Sequence, residues 1–198
     1  MADGARWEYQ HDDWTETVTL SATTFNGEPA YLMSDSPNPS DDLRADSIIS
    51  VADGAVARMT KEEFFIPLAG DPVLRSSVTY GTGFTRFKED WATQQVGFKE
   101  SLSYVRVETP PAGTAQPGED RSHTFELLDL SDEVMTTVGT FDCIKIRRSK
   151  DWQAVADGVD VADAQTKLFW FARGVGKVRE ENEDSGSFEQ LSDYEIPE

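Results

Sequence analysis

Few residues of this chain have the types and spacing that catalysis needs. The sequence contains two histidines and one cysteine. His11 lies in a polar, turn-like stretch and His123 follows an acidic loop, so a general-base role would need partners that only the fold could bring near. Cys143 lies in an alternating, strand-like run, where cysteine usually behaves as a small apolar core residue. The sequence therefore predicts no catalytic residue.

Carboxylates are abundant, and adjacent pairs such as Asp12-Asp13 and Glu62-Glu63 recur. Because the chain has 37 acidic residues, proximity in sequence alone is weak support for a two-carboxylate enzyme, which needs its acids across a cleft. The oxygen-rich run 181–186 could suit calcium, but Ser192 stands where the bidentate acid of such a loop belongs. We expect a solvated turn there, with no metal site and no cofactor.

The net charge of the chain limits the kinds of partner that it can bind. The formal net charge is -19, from 37 acidic and 18 basic residues. Such a surface repels nucleic acid, and no Lys/Arg cluster in the sequence is large enough to form a basic groove. The densest basic stretch, KIRRSK at 145–150, alternates like a strand and is expected to be a solvated face. We expect no nucleic-acid partner. A membrane span is not expected either, because no apolar run is long enough.

Aromatic side chains are the more informative group. The run Phe169-Trp170-Phe171 and the other rings exceed what a sheet of this length needs for ordinary packing. Two interpretations remain open: the rings form a plain core, or they line an apolar cavity, as the inner faces of barrels do. The candidate ligand-binding residues under the second interpretation are Trp7, Tyr9, Tyr31, Phe98, Phe169 and Phe171.

The elements that position these side chains are predicted to be strands. Short strand-like segments recur between Gly, Pro, Asn and Asp, and Asn26-Gly27 and Asp53-Gly54 mark tight turns. Loops are expected at 35–42 and 109–120, and no long helical periodicity is present. We expect a mainly β protein, one domain over residues 1–198, built from a single antiparallel, strongly curved sheet. This sheet would be a half-barrel or open barrel with at most one or two short helices.

Four segments carry more specific expectations. Residues 84–91 continue the strand pattern. The stretch 61–68 is either a strand end or a short helical turn. Within 96–108 the apolar face switches partway, which predicts a bulge or strong twist. The acidic span 151–163 is either a loop or the one plausible short helix.

The carboxy-terminal third resembles a known pattern. The run TKLFWFARGVGKVRE at 166–180, followed by FEQLSDY at 188–194, resembles the closing hairpin of a group of bacterial secreted proteins and lipoproteins. In that group the hairpin contains Ala-Pro-Gly-Val-Gly and then a Val-Lys-Glu strand. Here Arg173 replaces the proline and Arg179 replaces the lysine. The run GTFDCIKI at 139–146 is similar to the preceding strand of the group, and Trp7-x-Tyr9 with NGEPAY at 26–31 is similar to its opening.

The resemblance implies a fold akin to the lipoprotein-localisation factors, a curved half-barrel whose concave side holds an acyl chain or other apolar ligand. It brings no common catalytic residues. It also implies export to a periplasmic or extracellular location, with a signal segment that this sequence lacks.

Together these features favour a non-enzymatic, extracytoplasmic binding or carrier domain for an apolar ligand or a lipidated partner. One alternative is a structural or adhesive component of a bacterial envelope assembly. A second alternative is a carboxylate-based hydrolase or isomerase. The sequence does not indicate the oligomeric state.

Overall fold

The computed structural model describes the backbone of residues 1–151, 153–156, 159–162 and 166–197, and the side chains of 1–150 and 166–197. Regular structure in these parts consists of strands and one 3-10 turn, η1 (Glu89–Thr93). No helix there has the length and apolar character needed to cross a membrane. The strands are β1 (Arg6–Gln10), β2 (Thr15–Phe25), β3 (Glu28–Asp35), β4 (Leu43–Ala52), β5 (Ala55–Phe65), β6 (Val73–Lys88), β7 (Lys99–Thr109), β8 (Glu119–Thr136), β9 (Gly139–Asp151), β10 (Gln153–Ala156), β11 (Val159–Ala162), β12 (Thr166–Ala172), β13 (Gly176–Asn182) and β14 (Phe188–Glu195).

Twelve of these strands form one closed antiparallel barrel, in the order β1-β14-β13-β12-β9-β8-β7-β6-β5-β4-β3-β2. Closure comes from the pairing of the first and last strands, with Trp7 opposite Tyr194. The mainly β, antiparallel class is confirmed, but the expected half-barrel or open barrel is wrong. Local patterns locate most strands of the barrel but do not reveal that the two chain ends pair, which removes both sheet edges.

The two predicted tight turns are present and help to define the ends of the barrel. Asn26 and Gly27 have φ angles of 52° and 86°, and Asp53 and Gly54 have 50° and 70°. These left-handed conformations suit asparagine, aspartate and glycine, and they allow two-residue connections. Because successive strands alternate in direction, both turns and η1 lie at the same end, here called the closed end. The loops 36–42, 66–72 and 110–118 lie at the other, the loop end.

The closed end is filled by Trp91 of η1. Its side chain is 2% exposed and packs against Phe125, Leu127 and Ile146. Its indole Nε1 donates a hydrogen bond to Glu100 at 2.9 Å. The expected strand over 84–91 therefore ends at Lys88, and its last residues turn inward as a plug.

Strand β7 does not show the predicted switch of face. Leu102, Tyr104 and Arg106 share the inner side of one regular strand, without a register shift toward either neighbour. The apparent switch arose because the inner side changes from apolar to basic along the strand, so hydrophobicity no longer marks the inside. The register shifts lie instead in the β5–β6 and β8–β9 pairs, among others.

The other two local expectations are also settled for the described backbone. Strand β5 continues to Phe65, which confirms the strand-end interpretation of 61–68. Within 151–163 the backbone forms the two-stranded sheet β10–β11 instead of a helix, with Gln153 opposite Ala162. The remaining residues of that span lie outside the described part of the chain.

The tip of the β8–β9 hairpin packs on the outer face of the barrel. Gln190 Nε2 donates a hydrogen bond to the carbonyl of Met135 at 3.0 Å, and Trp170 Nε1 donates to Asp132 at 2.8 Å. Cys143 belongs to the apolar cluster formed there, with Val134 and Trp170, and is 1% exposed. The expectation that Cys143 is a core residue is confirmed.

Candidate ligand-binding site

Barrel closure leaves an internal cavity of about 510 Å³. Its lining is unusual for so acidic a protein, because basic side chains outnumber all others. The described lining consists of eight basic residues (Arg58, Lys61, Arg86, Arg106, Arg121, Arg148, Lys150, Lys167), four rings (Tyr80, Phe84, Tyr104, His123) and the single acid Glu180. Eight of the 18 basic residues of the chain thus face the interior.

The strand register explains how these residues meet. Directly opposed residues of neighbouring strands lie on the same face of a sheet. Tyr104 is opposite Arg121, and Arg148 is opposite Lys167. The basic residues come from six strands, between positions 58 and 167, so they form a cluster only in the closed barrel. The prediction that the chain has no basic cluster of this size is therefore wrong.

The basic stretch 145–150 shows the same effect on a single strand. Arg147 lies on the outer face, where it pairs with Glu183 at 2.9 Å and Glu126 at 3.2 Å. Its neighbour Arg148 points the other way, lines the cavity and is only 8% exposed. The expectation of a solvated face is wrong for half of this stretch, because alternation places every second residue inside, and Arg148 and Lys150 are two of these.

The cavity deepens from the loop end toward the middle of the barrel. The side chains of Lys61 and Arg106, which lie on the halves of their strands toward the loop end, are 31% and 26% exposed. Arg148 and His123 lie deeper, at 8% and 2% exposure. A ligand would therefore enter from the loop end, since Trp91 fills the other.

A cluster of rings forms one wall. The centroids of Tyr80, Phe84 and Tyr104 lie 5.3 to 5.8 Å apart. His123 stacks on Tyr104 with a centroid distance of 5.5 Å and an interplanar angle of 9°, and it lies 4.8 Å from Phe84. Such a wall offers an extended apolar surface to the body of a ligand.

His123 is neutral at physiological pH. Burial, reinforced by the charge of Arg148, lowers the pKa of its imidazole to about 3. Neither Nδ1 nor Nε2 has a hydrogen-bond partner among the described residues. A neutral imidazole keeps one donor and one acceptor, so His123 can offer both to a ligand.

Several of the cations are already paired with carboxylates. Lys61 pairs with Glu63 at 3.2 Å, and Arg106 pairs with Glu108 at 2.7 Å. The remaining pairs of this kind are Arg121 with Glu119 and Lys167 with Glu180. These pairs neutralise much of the charge around the cavity.

Three other arginines of the lining are not paired with a carboxylate in this way. Arg58, Arg86 and Arg148 form no ion pair within 4 Å in the part of the chain that the structure describes. Arg148 instead lies over the rings of Phe84 and Phe169, at 5.3 and 4.7 Å from their centroids. Burial and the neighbouring charge of Arg86 lower the pKa of both Arg58 and Arg148 to about 10. Arg58 and Arg148 therefore remain charged at neutral pH, and the positive charge of Arg86 repels both.

A network of ion pairs between lysines and glutamates lies beside these three arginines. Lys177 pairs with Glu180 at 3.1 Å and with Glu189, and Glu180 also pairs with Lys167. Burial alone would raise the pKa of Glu180, but the charges of Lys177 and Lys167 lower it well below its usual range. The negative charge of Glu180 is therefore largely taken up by lysines. It acts on Arg148 only from beyond 4 Å.

One trio near the loop end has ligand atoms close enough for a metal ion. His11 Nε2 lies 3.6 Å from Glu16 and 3.5 Å from Glu189, and all three ligand atoms lie within 4.8 Å of one another. Because Lys177 already pairs with Glu189, a cation there would compete with a bound ammonium group. The trio is therefore a weaker candidate than the cavity.

None of the six aromatic residues proposed from the sequence belongs to the described lining of the cavity. Trp7 and Tyr9 donate hydrogen bonds to the carbonyls of Val175 and Lys177, at 2.8 and 3.0 Å. Tyr31 donates to the carbonyl of Met1 at 3.1 Å.

Phe98, the fourth of the six, packs in the Trp91 cluster. Phe169 and Phe171 stack on each other at 6.0 Å. Of the six, Phe169 has the closest link to the site, because it supports Arg148. A role of these six in ligand binding stays a prediction.

The residues that do line the cavity carried a signal that hydrophobicity hides. Rings and cations alternate at two-residue spacing in Phe84-x-Arg86, Tyr104-x-Arg106 and Arg121-x-His123. Residues at i and i+2 share one face of a strand. Repetition of this pairing on successive strands is the pattern that could have predicted a cationic, aromatic interior.

Comparison with known proteins adds no relative: no family model, no curated protein and no solved structure matches this chain. The likeness to bacterial secreted proteins and lipoproteins therefore stays a prediction.

Proposed function

We propose that this chain is a non-enzymatic binding or carrier domain that holds a small organic ligand inside its barrel. The observation that carries the proposal is the cavity of about 510 Å³, which falls within the range of roughly 300–1,000 Å³ typical of ligand sites. The wall of Tyr80, Phe84 and Tyr104 would contact the apolar part of the ligand. That part could be the acyl group of a lipidated partner, and a periplasmic or extracellular setting belongs to the same proposal.

The chemistry of the described lining favours binding over catalysis. It contains neither a serine nor a cysteine nucleophile. Cys143 lies on the outer face, where burial raises the pKa of its thiol to about 11. No acid among the described residues hydrogen-bonds to His123, and its lowered pKa makes it a poor base.

The neutral fluorescent probe N-phenyl-1-naphthylamine tests the proposal, because its emission rises in apolar surroundings. We expect saturable binding to the wild-type protein. The variant Tyr104→Trp, which adds volume inside the cavity, should weaken binding by about tenfold or more. Val105→Trp is the matched control, because Val105 is the next residue, is 40% exposed and points outward; its affinity should equal that of the wild type.

Equal probe binding by the Tyr104→Trp and Val105→Trp variants would place the probe elsewhere and overturn the proposal. Thermal unfolding of both variants checks that each is folded. Native mass spectrometry of protein purified from its own host should in addition show a co-purifying molecule of defined mass. That mass should be lost from the Tyr104→Trp variant.

A further inference from the structure

Three guanidinium groups share the interior of the barrel without a carboxylate in contact. Arg58, Arg86 and Arg148 each lack an ion pair in the described residues. The carboxylates that act on them are Asp35 for Arg58 and Glu180 for Arg148, both from beyond 4 Å, and Arg58 also has a hydrogen bond with Tyr80. Nε of Arg58 and Nε of Arg148 are buried and have no hydrogen-bond partner among these residues.

Uncompensated buried charge is costly to a fold. Removing a cation from water loses its hydration, and that loss is offset mainly by a counter-charge or by hydrogen bonds. Cation–π contacts of Arg148 with Phe84 and Phe169 offset part of it. Mutual repulsion with Arg86 adds to the cost. A residue set that opposes stability in this way is characteristic of a binding site.

The distribution of charge over the whole chain points the same way. The net charge is -19, yet eight of the 18 basic residues line one cavity. An anion would be repelled from most of the outer surface and attracted inside. Electrostatics therefore favour an anion inside the barrel over the acidic outer surface.

We infer that the cavity binds an organic anion with a multiply charged oxyanion head group, held by Arg58, Arg86 and Arg148 against the ring wall. Guanidinium groups match phosphate and carboxylate oxygens with paired, charge-assisted hydrogen bonds. Three unpaired cations suit a head group of two or more negative charges. The neutral His123 supplies a further donor or acceptor, and the body of the ligand lies against Tyr80, Phe84 and Tyr104. This inference rests on the proposed function and specifies its ligand.

A series of three naphthalene probes, measured at pH 8, tests whether binding requires a negative charge on the ligand. The probes are 1-naphthyl phosphate, 1-naphthoate and 1-naphthol, which share one ring system and carry about two, one and no negative charges. Each is used to displace N-phenyl-1-naphthylamine, and the binding of 1-naphthyl phosphate is also measured directly by calorimetry. We expect the phosphate to bind at least about tenfold more tightly than 1-naphthol, with 1-naphthoate between them.

The variant Arg148→Met replaces the guanidinium side chain by an apolar one of similar length and so removes the charge. It should reduce the affinity for 1-naphthyl phosphate by about tenfold and leave that for 1-naphthol unchanged. The melting temperature of the ligand-free variant should equal or exceed that of the wild type, because a repelling charge is gone. Arg75→Met, an exposed arginine of β6, is the matched control and should change neither affinity.

The outcomes separate the two claims. If N-phenyl-1-naphthylamine binds and the three probes displace it equally, the head-group inference is wrong and the proposed function stands. If Arg148→Met and Arg75→Met weaken the phosphate probe equally, the arginine cluster is not its site and the inference is likewise wrong. If the neutral probe does not bind but calorimetry detects 1-naphthyl phosphate with dependence on Arg148, the anion site stands and the apolar carrier role fails.

Discussion

His123 is a buried histidine whose titration opposes folding in acid. The pKa of its imidazole falls from an ordinary 6.5 to about 3 in the folded protein, mainly through burial. Between these values the unfolded chain binds more protons, so stability is lost as the pH falls from about 6.5 toward 3. We predict that His123→Phe, which fits the neighbouring rings, removes this loss. The difference in melting temperature between variant and wild type should move in favour of the variant from pH 8 to pH 4.

The measurement is thermal unfolding of both proteins at several pH values in that interval. His11→Phe is the control, since His11 is the other histidine of the chain and lies in the turn after β1, with its side chain 22% exposed. A constant difference for His123→Phe across all pH values would show that the imidazole titrates normally and is open to water.

The titration of Asp35 affects stability in the opposite direction to that of His123. Burial, reinforced by Glu16, raises the pKa of its carboxyl from 3.8 to about 6. Above pH 6 the folded protein bears a poorly solvated charge, and this cost is relieved as the pH falls through 6 toward 3.8. We predict that Asp35→Asn is more stable than the wild type at pH 8, by on the order of 1 kcal/mol, and equally stable at pH 4.

Urea unfolding at both pH values measures the free energy of unfolding for Asp35→Asn. Asp71→Asn, in the exposed loop 66–72, should have no effect at either pH. A loss of stability at pH 8 would mean that the attraction between Asp35 and Arg58 outweighs the cost of burial.

At the scale of elements, the β8–β9 hairpin behaves as a cover on the outside of the barrel. Cys143 is part of this hairpin, on β9 opposite Ala172 of β12, and it is 1% exposed, with a thiol pKa raised to about 11 by burial. The thiol can therefore react only when this cover opens. The hydrogen bond from Trp170 to Asp132, at 2.8 Å, is one of the contacts that hold it closed.

We predict that Trp170→Phe increases the rate at which Cys143 reacts with a disulfide reagent such as DTNB, by about fivefold. The variant loses the hydrogen bond to Asp132, which should lower the free energy needed to open the hairpin by roughly 1 kcal/mol. The native-state reaction rate at neutral pH is the measurement, and Trp14→Phe, at the loop end, is the control. Rates that are equal for the two variants would mean that the thiol is reached by another route.

The elements also show how far sequence reasoning reaches in this molecule. Local rules were sufficient for the turns at Asn26-Gly27 and Asp53-Gly54, because the backbone conformation there is set by the residues themselves. Such rules failed for the pairing of β1 with β14, which joins the two ends of the chain. On β7 the alternation of hydrophobicity was misleading, since the inner face carries Arg106 as well as Tyr104.

The candidate site was hidden for the same physical reason. No single stretch contains it, and each strand contributes only one or two of its cations. In the sequence Arg148 stands among the cations of its own strand, whereas in the fold its side chain contacts Phe84 and Phe169 from other strands. Rings such as Phe169 and Phe171 were easier to notice, but they mostly support the lining. Only closure of the sheet turns scattered positions into one interior.

At the scale of the whole molecule, two kinds of charge repulsion oppose folding. The first is among the acidic residues that dominate the outer surface of this -19 chain. The second is among the unpaired arginines inside. Salt screens the first within a Debye length of about 10 Å at 0.1 M, whereas charges buried in the barrel are screened much less. The two contributions should therefore respond differently to ionic strength.

We predict that sodium chloride between about 20 and 500 mM raises the melting temperature of the wild type, because it screens the surface acids. The same rise should occur in Arg148→Met. The gap between the two proteins should change much less than the melting temperatures themselves, since Arg148 is only 8% exposed and buried charges are screened less than surface charges. Chloride is the appropriate anion, because phosphate or sulfate would occupy the proposed site. A gap that closes at high salt would mean that water and ions surround Arg148, and a solvated guanidinium group would have no unmet need for a bound oxyanion.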